Sequence, residues 1–311
     1  MKKLLFLLLL TARIGFAQSH YQIFTQDIPT FWAAVDQLPE NGTYADSLQI
    51  FQTQYLDRLT PAGREFIKRI DYDAEEYLNS FAAHPNFWRT IREPTLRTVS
   101  DTAQLRDIFA VYERELPGYR QPDVAFVIGC LRSGGTASSK TLFVGVEMMG
   151  LDNTVDRSEL NDWLKNVLPE EPDLPTIVAH ETIHTQQPKL VLKATLARAA
   201  LMEGVCDFIP DLLFGRNANP VQFEYGEAHE CALWQEFLAD EPHEKDAITN
   251  WMYQGDSSKD RPADLAYYIG YKIAAAYYEQ ATDKRKALKE LIDFRRAKKI
   301  LAAANYDGGC R

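Results

Sequence analysis

His180 and His184 stand four residues apart in the run His180-Glu181-Thr182-Ile183-His184, and that spacing dictates the local fold. On a helix, residues i and i+4 lie one above the other on the same face, so both imidazoles can reach a single point only if the segment is helical. The flanking residues agree. Asp173 is placed to cap the N-terminus, Pro175 falls in the first turn, Leu174 to Ala179 are largely apolar, and Pro188 ends the helix soon after His184. The result is a short helix whose polar groups are gathered at one place. Such a helix has to be buried, and another element must meet its polar site.

Two imidazoles at this spacing bind one metal ion, and a catalytic zinc needs three protein ligands with a fourth position open. The extension that adds a third histidine would require glycine at position 187 and histidine at position 190, but Gln187 and Leu190 stand there. The carboxylate alternative is met by Glu203, inside the apolar run Ala199 to Phe208, with Asp207 one turn further on. The expectation is a zinc ion held by His180, His184 and Glu203. Asp207 would accept the other ring N–H of a zinc histidine and fix its tautomer. Glu181 would serve as general base. The competing reading of Glu203 is a solvated carboxylate on a helix surface, which its apolar neighbours disfavour.

With eighteen residues between His184 and Glu203, the segment resembles the gluzincins. The HExxH-x18-E spacing is similar to that of zinc aminopeptidases, and Glu-x-x-x-Asp to thermolysin-like proteases. The resemblance covers about thirty residues and implies ligands His180, His184 and Glu203, base Glu181 and supporting Asp207. Thr182 departs from the bulky apolar residue usual in zinc proteases, and Thr185-Gln186-Gln187 is unusually polar; neither alters the ligand set.

Residues 1–17 read as an export signal: Lys2 and Lys3, the apolar run Leu4 to Leu10, then the small-x-small site Gly15-Phe16-Ala17. No cysteine follows it, so a lipoprotein anchor is not expected, and no later run is long and apolar enough to cross a membrane. The expected product is exported, periplasmic or extracellular. A formal net charge of −10 disfavours nucleic acid as partner. Cys130, Cys206, Cys231 and Cys310 allow two disulfides in three connectivities. They lack the close pairing of a zinc ribbon and are not read as ligands; for Cys206 a bridge and a buried free thiol both remain open.

From about residue 20 to 116 the apolar residues recur at helical spacing, and the aromatics Trp32, Tyr55, Tyr77, Phe87 and Trp88 are expected in the core. Asp123 to Ile128 and Thr141 to Met148 then read as two strands joined by the Gly/Ser-rich loop 133–139. By analogy with zincins, the second strand would offer its edge to a peptide, unless the protein's own helices cover it. Gly134 to Thr141 superficially matches a phosphate-binding loop, but it lacks the glycine before Lys140 and leads into a strand. A Gly/Asn/Pro turn (215–220), a helix near 227–238 and two long helical stretches, about 262–280 and 283–304, follow. The last is basic against an acidic whole, which suits a solvated face or an acidic partner. Gluzincins often supply an oxyanion donor downstream of the third ligand, and here Tyr267 is the first candidate, with Tyr271 and His229 as rivals.

Taken together these segments resemble predicted zinc-dependent proteases related to the GldB-like gliding-motility lipoproteins. The expected fold is α+β and mainly helical, with a zincin-like core, a small sheet and a helical N-terminal region. Its parts would be the signal (1–17), the helical region (18–118) and the catalytic region (119–311), the last two packed as one unit. The expected activity is zinc-dependent hydrolysis of peptide or protein substrates, endo- or aminopeptidase undecided. The alternative is an exported scaffold that keeps zinc for structure.

Overall fold

The computed structural model describes residues 21–99, 102–132, 134–149, 152–168, 173–189, 195–242, 244–254 and 261–310. The signal read at 1–17 lies outside them. Six helices fill the first third: α1 (Asp27–Val35), α2 (Tyr44–Gln54), α3 (Pro61–Ile70), α4 (Ala74–Ala83), α5 (Pro85–Thr98) and α6 (Ala103–Glu115). Their starts are locally encoded. Thr43 with Asp46 and Asp73 with Glu76 form reciprocal capping boxes, and Thr60 caps a helix whose next residue is Pro61. The aromatics expected in the core are there. Phe31 packs against Phe51, Tyr55, Phe81 and Trp88, mostly edge to face. The buried Asp27 carboxylate accepts from the Thr60 backbone N–H and hydroxyl, at 2.8 and 2.6 Å, and so ties α1 to the start of α3.

The sheet has four strands in the order β1 (Ile23–Phe24), β2 (Asp123–Val127), β4 (Thr141–Gly145), β3 (Gly135–Ala137). β1 and β4 run parallel to β2, and β3 runs antiparallel to β4. Two expectations are corrected. Residues 141–148 are not one strand: the strand ends at Gly145 and the chain turns into the short helix α7 (Val146–Met149). Nor is that strand an edge, because the supposed loop before it folds back as β3 and pairs with it, leaving β3 outermost. β4 is buried throughout and β2 nearly so, which is why both read as continuous apolar runs without alternation.

Beyond the sheet come α8 (Asp162–Val167), α9 (Leu174–Gln186), α10 (Leu196–Phe214), α11 (Pro220–Asp240), α12 (Glu244–Trp251), α13 (Ala266–Gln280), α14 (Lys284–Ile292) and α15 (Ala297–Ala304). The expected final helix is thus interrupted, with a 3-10 turn at Phe294–Arg296 between α14 and α15. α9 lies against β3 and β4 on one side and α10 on the other, and α10 packs most extensively on α13. That last contact is backbone to backbone. A Cβ on Gly204 would sit 2.2 Å from the Gly270 carbonyl carbon, and one on Gly270 only 1.8 Å from the Ala200 carbonyl oxygen. The two glycines let the helix carrying Glu203 meet the helix carrying Tyr267 without intervening side chains. Cys231 and Cys310 are disulfide-bonded, joining α11 to the chain beyond α15, while Cys130 and Cys206 are free thiols. No helix among the described residues is long and apolar enough to cross a membrane.

Candidate metal centre

Helix α9 forms where the sequence expected it, with the Asp173 side chain accepting from the Thr176 N–H and Pro175 in the first turn. Its unusual polar residues are satisfied within the helix or next to it. The Thr182 hydroxyl donates to the Val178 carbonyl at 2.6 Å and Thr185 to Thr182 at 2.7 Å. Gln186 exchanges two hydrogen bonds with the backbone of Arg120. Tyr112 of α6 donates to the Ala179 carbonyl, bracing the turn just before the motif.

His180 and His184 point the same way, with ring centroids 5.1 Å apart. Both Nε2 atoms face one carboxylate oxygen: Glu203 Oε2 lies 3.1 Å from His184 Nε2 and 3.7 Å from His180 Nε2. The far side of each ring is also held. His180 Nδ1 lies 2.8 Å from Asp207 Oδ1, and Asp207 accepts in addition from the Asn219 amide at 3.0 and 2.8 Å. His184 Nδ1 lies 3.0 Å from Gln187 Oε1, while Gln187 donates through Nε2 to the Met202 carbonyl on α10. With each Nδ1 placed to donate outward, both Nε2 atoms are left facing Glu203, able to donate to its carboxylate when protonated and to bind a cation when not. His180, Glu203 and Asp207 are all less than a tenth exposed.

Electrostatics reinforce the arrangement. Burial alone would raise the Glu203 carboxyl, but the two imidazoles beside it hold it well below the usual carboxylate range. Burial also opposes charge on the imidazoles, yet the Asp207 and Glu203 carboxylates keep the proton affinity of His180 high. Glu181 is raised, burial outweighing the neighbouring histidines. Its carboxylate tucks against β3, where a Cβ on Gly135 would stand 2.8 Å from Glu181 Oε1. A side chain at 135 would therefore displace it.

These residues open on a cleft of about 1220 Å³ whose wall includes β3, His180, Glu181, His184, Glu203 and Tyr267. Tyr267 stacks on His180 with the rings 16° from parallel and centroids 6.3 Å apart. Its hydroxyl is raised well above the ordinary range by burial and by the Glu203 charge, so it stays a proton donor. The two rivals lie elsewhere. Tyr271 donates to Asp211, and the exposed His229 stacks on Tyr225 with Nδ1 against the Tyr225 carbonyl; neither lines the cleft.

Three participants escaped the sequence reading. Tyr253 stands at the cleft mouth with its ring largely exposed, yet its hydroxyl reaches within 3.4 Å of Glu203 Oε1. It holds a left-handed φ of 60°, as does Asp264 at 64°, and the Tyr253 N–H donates to the Asp264 carboxylate at 2.6 Å. Two non-glycine residues in that region, locked to each other beside the cleft, are backbone strain of the kind found at functional sites. Gln187, which the sequence marks only as part of an unusually polar run, is the hydrogen-bond partner of His184. Cys206, one turn from Glu203 and not read as a ligand, has a ligand atom within 4.8 Å of those of His180 and His184, and its Sγ is 3.4 Å from His184 Nδ1. That approach is to the ring nitrogen facing away from Glu203. The gathered donors (two imidazoles, a carboxylate and a neighbouring thiol) suit a divalent transition metal.

The chain belongs to a known family: residues 22–308 match the one described as gliding motility protein GldB. The match spans nearly all the described residues and both sides of the metal centre. No curated protein and no solved structure matches the chain.

Proposed function

We propose that this GldB-family chain is an exported, zinc-dependent peptidase with a gluzincin-type centre. The observation that carries the reading is the convergence of both Nε2 atoms on one oxygen of Glu203, with the opposite nitrogen of each ring held by Asp207 or Gln187. A shared cation gives all three groups a common purpose, which supports the reading. His180, His184 and Glu203 would hold zinc, which when bound supplies Lewis-acid polarisation and a water of lowered pKa.

The chain's own residues then have separable tasks. Glu181, at the cleft wall and with a raised proton affinity, takes a proton from the attacking water and returns it to the leaving amine. Tyr267 offers a neutral hydroxyl stacked over His180, and Tyr253 another at the mouth; either can donate to the developing oxyanion. β3, outermost in the sheet and lining the cleft, supports recognition of an extended peptide backbone.

A second reading rests on Cys206. Were Cys206 added to His180, His184 and Glu203, four protein ligands would close the site as in structural zinc centres, in which case the chain is a non-catalytic envelope scaffold. One set of experiments separates the two. Metal content is measured by mass spectrometry on wild type, Glu203→Ala and Cys206→Ser, alongside hydrolysis of a peptide pool by wild type and Glu181→Gln. The peptidase reading expects about one zinc per chain, lost with Glu203→Ala and kept with Cys206→Ser, and turnover abolished by Glu181→Gln with zinc retained. Zinc lost with Cys206→Ser and no hydrolysis by wild type would establish the scaffold instead.

A further inference from the structure

Immediately beside the metal centre lies a second cleft, of about 730 Å³, between the 116–120 turn and the α14–α15 segment. The two share a wall: Gln187 and Pro188 line both, and Phe294 lines the first while Asp293 and Arg295 line the second. The second cleft is basic in a chain whose net charge is −10. Its two acids are already neutralised inside it. Asp293 is paired with Arg295 at 2.6 Å, and Glu290 with Arg296 at 3.0 Å while also accepting from Tyr277.

Three further cations line the cleft, of which Lys286 also acts through space on Glu290. The side chains of Arg120, Lys286 and Lys289 make no hydrogen bond or ion pair with the described residues, and all three are exposed. Surface lysines usually point wherever solvent takes them. Here they face one concave wall, converging with Arg120 from a different part of the chain. A cleft with cations spread along its wall is complementary to a linear chain carrying successive negative charges.

We propose that this cleft binds an acidic polypeptide segment, the continuation of the substrate that crosses the metal centre. The proposal rests on the peptidase reading for the word substrate, and on the cleft's charge and continuity for the rest. An extended chain advances about 3.3 Å per residue, so a segment leaving the metal centre past Gln187 and Pro188, which line both clefts, enters the basic cleft within a few residues. Selectivity would then come from charge remote from the scissile bond, acting on binding rather than on the chemical step.

The test uses the full mature chain and two fluorescein-labelled peptides, Gly-Ser followed by six glutamates or by six glutamines. Binding is read by anisotropy on wild type and on an Arg120→Gln, Lys286→Gln, Lys289→Gln triple variant whose circular dichroism and melting match wild type. Lys286→Gln alone serves if the triple does not fold. The expected result is tighter binding of the glutamate peptide, weakened on the order of fivefold or more in the triple variant and suppressed by about 0.5 M salt. Equal binding of the two peptides, or glutamate binding untouched by the substitutions, overturns the proposal. So does stronger binding of phosphatidylglycerol vesicles through the same three residues, which would make the cleft a membrane contact. Where a hydrolysed peptide is in hand, appending the glutamate tract should lower KM and leave kcat unchanged in wild type only. Tract binding without any hydrolysis by wild type would leave the acidic-peptide cleft standing and bring down the peptidase reading.

Discussion

Gly270→Ala is the substitution through which the geometry of the centre is most exposed to test. The added methyl carbon would stand 1.8 Å from the Ala200 carbonyl oxygen and 2.4 Å from its carbon. Real contacts of this kind approach no closer than about 3 Å, so α10 and α13 must separate by roughly 1.2 Å. Neither side can rotate out of the way, because what the methyl meets is backbone. Overpacking with a flexible neighbour costs about 1–3 kcal/mol; here the upper end, about 3 kcal/mol, is the expectation. For a chain of this size that lowers Tm by roughly 5 °C. The displacement also falls on the site, since Glu203 precedes Gly204 at the crossing and Tyr267 lies one turn from Gly270. Zinc affinity should drop by about tenfold or more, as when ligand-supporting contacts are lost. Differential scanning calorimetry and a competitive chelator titration read the two effects separately. A variant that melts within about 1 °C of wild type and keeps its zinc affinity would refute the claim that this crossing positions the centre.

Asp207→Ala should weaken zinc binding by about 10- to 100-fold while leaving His180, His184 and Glu203 in place; unchanged affinity in a chelator titration would mean Asp207 does not hold the His180 ring. Glu147, wholly buried and accepting from the Gly129 N–H at 3.0 Å, has its carboxyl raised to about 7 by burial. Because the folded form binds this proton more tightly than the unfolded chain, stability should be greatest below the unfolded carboxyl pKa and fall as pH rises towards 7. The total is about 3 kcal/mol. Denaturant melts of wild type and Glu147→Gln between about pH 5 and pH 8 should show this slope flattened in the variant, and a parallel slope would contradict the assignment. Cys310→Ser opens a bridge spanning 79 residues, for which chain entropy gives a loss of up to about 4.5 kcal/mol; a variant as stable as wild type in urea would show that packing around α15 suffices without it.

What the sequence made legible was the placement of side chains carried by helical spacing. The cap at Asp173, the stop at Pro188 and the phase of His180, His184, Glu203 and Asp207 are local facts, and the structure reproduces their consequences. What it hid depended on tertiary partners. β3 is three residues, Gly-Thr-Ala, with no alternation to betray it, and exists because β4 pairs with it. Tyr253 sits outside any periodic run and is aimed at Glu203 by backbone conformations at 253 and 264 that side-chain identity does not announce. Gln187 was visible as an anomaly but could not be paired with His184 until the helix end was in place. Of the rival donors, only the packing of α13 on α10 distinguishes Tyr267 from Tyr271, which share a helical face.

Helix α9 contains six β-branched residues among thirteen, in addition to its two histidines. Relative to an alanine-rich segment, those residues cost roughly 3 kcal/mol in helix propensity, and an isolated helix of this length is marginal even with good formers. The segment is therefore helical because β3, β4, α10 and the Tyr112 hydroxyl hold it so. A nascent chain does not present His180 and His184 as a ready pair; they come into phase only once the sheet and α10 have docked. The site is therefore a product of folding rather than a local property of the motif, and an unfolded chain has no preformed pair with which to hold an ion.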